Sequence, residues 1–118
     1  MIVHTFDRNE PLVVVEVTVE VDGKLKVFHF AVDTGATITL VSDDAMKRMG
    51  YTKADCIRTT HTITASKAEN VYEYSLKNIQ AIGLIHRNFK VISRSLPIGL
   101  GIDGLLGLNF FKKQRIDH

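Results

Sequence analysis

Leu12-Val13-Val14-Val15-Glu16-Val17-Thr18-Val19-Glu20-Val21-Asp22-Gly23 is the stretch on which the fold turns. Val13, Val15, Val17, Val19 and Val21 fall on one face, and Glu16, Thr18 and Glu20 on the other. A period of two in β-branched residues marks a strand with one buried side. Asp22-Gly23 is a preferred pair for a two-residue type I′ hairpin turn. Lys24-Leu25-Lys26-Val27-Phe28-His29-Phe30-Ala31-Val32 then returns as the partner strand. Pairing Val21 with Lys24 sets Val17 opposite Phe28, Val15 opposite Phe30 and Val13 opposite Val32. The apolar side chains then share a face, and a slip of one residue would turn one strand's apolar set to solvent.

Outward from this hairpin, the second strand runs straight into Asp33-Thr34-Gly35, where Gly35 permits a sharp change of direction. Thr37 to Val41 is extended and apolar. Ser42 is placed to cap a short helix over 43–49, with Asp43 and Asp44 in its first turn, Lys47 and Arg48 near its end and Gly50 beyond it. Thr59-Thr60-His61-Thr62-Ile63-Thr64 and Val71-Tyr72-Glu73-Tyr74-Ser75-Leu76 read as strands around a polar turn, Ser66-Lys67-Ala68-Glu69-Asn70. Phe89-Lys90-Val91-Ile92 reads as another strand after a turn over 83–88. A glycine-spaced loop over 97–104 leads into Leu105-Leu106-Gly107-Leu108, a short apolar run suited to a buried strand. Asn109 is placed to cap a final helix over 110–114, and Arg115-Ile116-Asp117-His118 to begin one more strand. No repeat, linker or low-complexity segment interrupts the pattern.

A chain of 118 residues makes one domain, 1–118, large enough to bury a core without disulfides or a structural metal. Hydrophobic residues at 45% against 24% charged fit a globular chain and argue against disorder. The formal charge of +2 is too balanced to call for a nucleic-acid or membrane partner. Lys112-Lys113 with Arg115 reads as cations favoured at a helix end. The first residues lack a basic region followed by a long apolar run, and the one cysteine, Cys56, has no internal partner, so a cytoplasmic chain is expected. The five histidines are scattered, and His29, on a strand face beside Glu16, has no further ligands at metal-binding spacing. No metal and no cofactor is expected. His4, His61, His86 and His118 read as surface residues, and Tyr72 and Tyr74 as packing on one strand face.

Ala31-Val32-Asp33-Thr34-Gly35-Ala36-Thr37 resembles the catalytic signature of the retropepsin-like, retroviral-type aspartic proteases. The triplet ends a β-hairpin, as it does in that family, and its apolar lead-in and Ala-Thr tail match. Gly104-Leu105-Leu106-Gly107-Leu108-Asn109-Phe110 resembles the family's second motif, and Asp103-Gly104-Leu105-Leu106-Gly107 is in the style of its bacterial and retroelement members. The likeness spans residues 12 to 116. It implies an all-β fold, a closed or partly open acid-protease barrel with one or two short helices. It implies Asp33 as the catalytic carboxylate, Thr34, Gly35, Ala36 and Thr37 as support of the active-site loop, and Leu106 and Gly107 as scaffold beneath it. Ser66, Lys67, Ala68, Glu69 and Asn70 would then form the tip of a flap, although this stretch has no glycine where many relatives have one.

The chemistry of such proteases uses two carboxylates that share one proton. Like charges that close cannot both ionise, so one acts as base while the other acts as acid. The ionised member takes a proton from water, the protonated one hydrogen-bonds the scissile carbonyl, and the roles reverse as the amine leaves. This chain has one Asp-Thr-Gly and room for one lobe, so a homodimer would supply the second Asp33 at a two-fold axis. The expected activity is endopeptidic hydrolysis of an extended peptide or protein. The alternative is a catalytically inactive retropepsin-like module that dimerises and binds peptide.

Overall fold

The β2–β3 hairpin forms in the register that its side-chain pattern dictates. In the computed structural model, which describes residues 2–7, 10–63, 68–96 and 101–112, β2 is Glu10–Val21 and β3 is Lys24–Val32. Val21 pairs with Lys24, Val17 with Phe28 and Val15 with Phe30. Asp22 and Gly23 take φ of 50° and 77°, the two positive values that a type I′ turn requires. A further strand, β1 (Ile2–Asp7), pairs antiparallel with the start of β2.

The rest of the chain wraps this hairpin into a ring. β4 (Leu40–Ser42) leads into α1 (Asp43–Arg48), and a single 3₁₀ turn at Lys53–Asp55 precedes β5 (Arg58–Ile63). β6 (Ala68–Ala81), β7 (Leu84–Arg94), β8 (Gly104–Leu106) and α2 (Leu108–Phe111) follow. The sheet order is β1-β2-β3-β8-β4-β7-β6-β5, and β2 also pairs with β6 through Thr18–Gln80 and Val19–Ile79. That second pairing closes β2, β3, β8, β4, β7 and β6 into a barrel and leaves β1 and β5 outside it. The fold is all-β with two short helices, as the sequence implies.

The barrel interior takes Val17, Val19, Phe28, Phe30, Leu76, Ile79, Val91, Leu106 and Phe110, each no more than 2% exposed. Each such burial contributes roughly 1.5–3 kcal/mol relative to exposure. α1 begins and ends where its sequence places it. Ser42 Oγ accepts from the Ala45 N–H at 3.0 Å, and Gly50 takes a φ of 90° after the last turn.

Four readings are corrected. The turn expected over 83–88 is a two-residue turn at Ile82-Gly83, with φ of 52° and 76°, so β6 and β7 are much longer than expected. A β-branched residue at positive φ is disfavoured by about 1–2 kcal/mol, which is why Ile-Gly does not read as a hairpin signal; the long β6–β7 ladder overrides it. Ala68, Glu69 and Asn70, expected in a turn, are strand residues paired with Ile63, Thr62 and His61. Polar residues are no obstacle to pairing in an antiparallel ladder. Asn109 does not cap a following helix; it lies inside α2, which starts after Gly107. His86, expected at the surface, is 4% exposed, tilted against Phe89 and edge-on to Phe110, with Nε2 2.7 Å from the Phe110 carbonyl. The strand expected at Arg115-Ile116-Asp117-His118 lies outside the described residues.

Candidate active site

Asp33 sits at the end of β3, on a loop whose backbone is tied down on both sides. The Asp33 N–H donates to the Leu106 carbonyl at 2.9 Å, so the loop leaves β3 against the end of β8. The Ala36 N–H returns to the Asp33 carbonyl at 3.1 Å and closes a tight turn. Within that turn the Gly35 N–H donates to Asp33 Oδ1 at 3.0 Å, which aims the carboxylate. A Cβ at Gly35 would lie 3.2 Å from that same oxygen, so a side chain there would press on the group being aimed. Asp33 is half-buried, while Thr34 and Gly35 are exposed on the outer side of the loop.

The second motif grips the loop from below. The Leu108 N–H donates to the Ala36 carbonyl at 2.8 Å and the Asn109 N–H to the Thr37 carbonyl at 3.1 Å. These are N–H groups at the start of α2 that have no partner inside the helix, and the loop satisfies them. Gly107 must be glycine. A Cβ there would come within 2.7–2.9 Å of the Ile38 carbonyl group and the Ala36 oxygen, which are backbone atoms with nowhere to go. Leu106 is fully buried beside it. Asp33, Thr34, Gly35, Ala36, Thr37, Leu106 and Gly107 are thus brought into one assembly.

Thr39, which the sequence does not single out, and Asn109, which it offers only as a helix cap and motif residue, complete the grip. Thr39, fully buried, donates through both its N–H and its hydroxyl to Asn109 Oδ1, each at 2.8 Å. The same hydroxyl accepts from the Gly107 N–H at 3.0 Å. Asn109 Nδ2 donates onward to the Lys90 carbonyl at 3.0 Å. At the buried Thr39 the N–H and hydroxyl are both engaged, which fixes this relay. A threonine in an apolar run and an asparagine after a glycine were the only signals, and both read more simply as strand and cap.

Asp103, read as a loop residue, proves to be a structural tie. Its Oδ2 accepts from the His29 N–H at 2.9 Å and its Oδ1 pairs with Arg48 of α1. Its backbone joins β3 and β4 through His29 and Ser42. The hydrogen bond to Asp103 raises the Arg48 guanidinium above its usual range, partly opposed by burial.

Of the presumed flap, Ser66 and Lys67 lie outside the described residues. Ala68, Glu69 and Asn70 pair with β5 in a hairpin. Among the described residues no group of three or more His, Cys, Asp or Glu gathers as a metal site, and no helix is long and apolar enough to cross a membrane.

A sequence profile described as aspartyl protease matches residues 17–110, from the middle of β2 to α2. The chain belongs to the aspartyl protease family. The matched span of this family member holds both the Asp33 loop and the glycine motif beneath it. Its fold is similar to the crystal structure of a retropepsin-like aspartic protease from Rickettsia conorii, with a TM-score of 0.64 at 24% identity over 90% of this chain and 84% of that one. No curated protein sequence matches this aspartyl protease-family chain.

Proposed function

We propose that the chain is an aspartic endopeptidase that works as a homodimer, with the two Asp33 carboxylates sharing a proton across a two-fold axis. The observation that carries this is the Asp33 loop itself. One carboxylate oxygen is held by the Gly35 N–H, and the backbone is hung from Leu106, Leu108 and Asn109, so the acid is presented in a fixed direction. Thr34 and Gly35 are exposed at the turn, free to meet a second copy. A single half-buried carboxylate lacks a partner to split the acid and base roles, and symmetry supplies it.

In this mechanism the ionised Asp33 draws a proton from water while its partner, protonated, hydrogen-bonds the scissile carbonyl. Water attacks, and the acid then protonates the departing amine. Thr34 locks the two loops together, and Ala36 and Thr37 hold the loop down through their carbonyls. The peptide lies extended beneath the hairpin of β5 and β6, adding main-chain hydrogen bonds as a further strand does.

The test is Asp33→Asn, which keeps the shape and removes the titrating group. Cleavage of an unfolded protein substrate should fall by at least about 10³-fold while thermal melting and sedimentation stay unchanged. Cleavage at the wild-type rate by the purified variant would overturn the assignment. An active sample that sediments only as monomer would overturn the dimer. Binding of an extended peptide with no cleavage by the wild type would favour the non-catalytic module instead.

A further inference from the structure

One sizeable cavity stands apart from Asp33. It has a volume of about 730 Å³ and lies between α1 with the segment after it and the facing parts of β6 and β7. No residue of the Asp33 loop, β8 or α2 lines it. Its volume falls inside the range of small-molecule sites.

The walls are unusual for this chain. All three of its tyrosines, Tyr51, Tyr72 and Tyr74, face the one cavity, together with Met46. Tyr51 and Tyr74 meet edge to face, with ring centres 6.1 Å apart and planes at 76°, and the Tyr51 hydroxyl is pinned by the Lys77 N–H at 3.1 Å. Tyr74 is 4% exposed and Met46 2%, so these side chains are fixed from behind by the core. A rigid aromatic slot of this kind takes a flat ring by offset or edge contact.

The rim supplies the sign of the charge. Lys47 and Lys53 border the cavity, and the carboxylate among its lining residues is Asp43. That carboxylate is already engaged, accepting from Ser93 Oγ at 2.7 Å and Ser95 Oγ at 3.2 Å. The Lys53 ammonium stands 5.1 Å above the Tyr72 ring, so a cation is held directly over the aromatic wall. An acid attached to a ring in the slot would meet these ammonium groups, and a ring without an acid would not.

We propose that this cavity is a binding site for a small aromatic carboxylate, its ring against Tyr72 and Tyr74 and its acid between Lys47 and Lys53. The site is separate from the Asp33 loop and its occupancy does not depend on the protease reading. It bridges α1 to β6, and Asn70 on its border belongs to the part of β6 that pairs with β5 in the hairpin.

The test uses 2-naphthoate as probe. The chain has no tryptophan, so the probe's own fluorescence anisotropy reports binding cleanly. Saturable one-site binding is expected, with amide shift changes centred on Lys47, Tyr72 and Ser95. 2-Naphthamide, equal in shape and uncharged, should bind at least about tenfold more weakly, and the exposed double variant Lys47→Gln with Lys53→Gln should weaken naphthoate by a similar factor, about 1.4 kcal/mol. Lys112→Gln, which lies beside a different depression, should leave binding unchanged. Absence of saturation at millimolar probe, equal binding of the amide, or full affinity in the double variant would overturn the proposal. So would shift changes centred on Asp33 and Thr34, which would place the acid in the catalytic cleft instead.

Discussion

The Asp33 loop and the hairpin of β5 and β6 are built on opposite plans. The loop has few residues, and it is tied to other elements at several points: to Leu106, to the start of α2 and, through Thr39, to Asn109. The hairpin is a longer two-stranded ladder at the edge of the sheet. β5 is an edge strand whose neighbour in the sheet is β6, and among the described residues the β6–β7 ladder begins at Tyr72. The difference follows from what each region must do in the proposed reaction. A shared-proton pair tolerates little misplacement of its carboxylates. A lid over the cleft must move to admit a peptide, and movable segments are drawn from the weakly anchored parts of a fold.

The sharpest way to break the comparison is Gly107→Ala. Its Cβ would strike the Ile38 and Ala36 backbone at 2.7–2.9 Å. Because the loop is held rigidly it cannot retreat, so stability should fall by more than about 3 kcal/mol, a drop in melting temperature above roughly 12 °C or failure to fold. A normal melt would show that the loop is softer than its bonds imply. The same alanine at Gly83, where no atom lies within 4 Å, meets only the backbone strain of a φ of 76° and should cost far less.

Hydrogen exchange measures the contrast without mutation. The amides of Asp33, Thr39 and Gly107 should exchange at least about 100-fold more slowly than those of Arg58, Thr60 and Val71, once intrinsic rates are divided out. Equal protection would erase the distinction between fixed loop and loosely anchored hairpin.

Asn109→Ala removes the acceptor of two Thr39 bonds and the donor to Lys90. The buried groups left unpaired should cost about 2 kcal/mol in denaturant unfolding, and pairing the change with Thr39→Val should show coupling near 1 kcal/mol. Additive losses would mean that the relay does not act as a unit. Cleavage by Asn109→Ala should fall further than its remaining folded fraction explains.

The smallest expected effect lies on the hairpin side, at the root of β6. Burial, then the neighbouring Cys56 and Asp43, push the Tyr74 phenol above its usual value of 10.0. The unfolded chain therefore loses this proton first as pH rises. Stability from this group is fully present below about pH 10 and declines above it, as pH climbs toward the raised folded value. Tyr74→Phe should flatten that decline in a pH series of melts. An unchanged decline would assign it to other groups.

Much of this was legible before any coordinates. The β2–β3 register followed from alternating valines and Asp-Gly, because period and turn chemistry are local properties. The α1 boundaries followed from Ser42 and Gly50 for the same reason. Resemblance to the family pairs the Asp33 loop with Leu106-Gly107, and the structure joins them by hydrogen bonds. The β6–β7 turn was missed because Ile82 contradicts turn chemistry and is held positive only by the ladder around it. The role of Asn109 was missed because its partners, Thr39 and Lys90, are 70 and 19 residues away in sequence. His86 was misplaced because a lone histidine carries no periodicity to say which way it points.

By itself, then, the sequence determined the β2–β3 hairpin with its Asp-Gly turn, the helix with its caps, and the pair of glycine motifs that mark the family. Those are written in spacings of a few residues. Only the tertiary structure decided that β2 meets β6 to close the barrel, that Thr39 and Asn109 lock the Asp33 loop, that Asp103 ties α1 to β3, and that three tyrosines and two lysines gather at one cavity. The reason is physical. Long-range pairings are selected by the joint burial and hydrogen-bond satisfaction of segments far apart in the chain, and no local pattern carries that information.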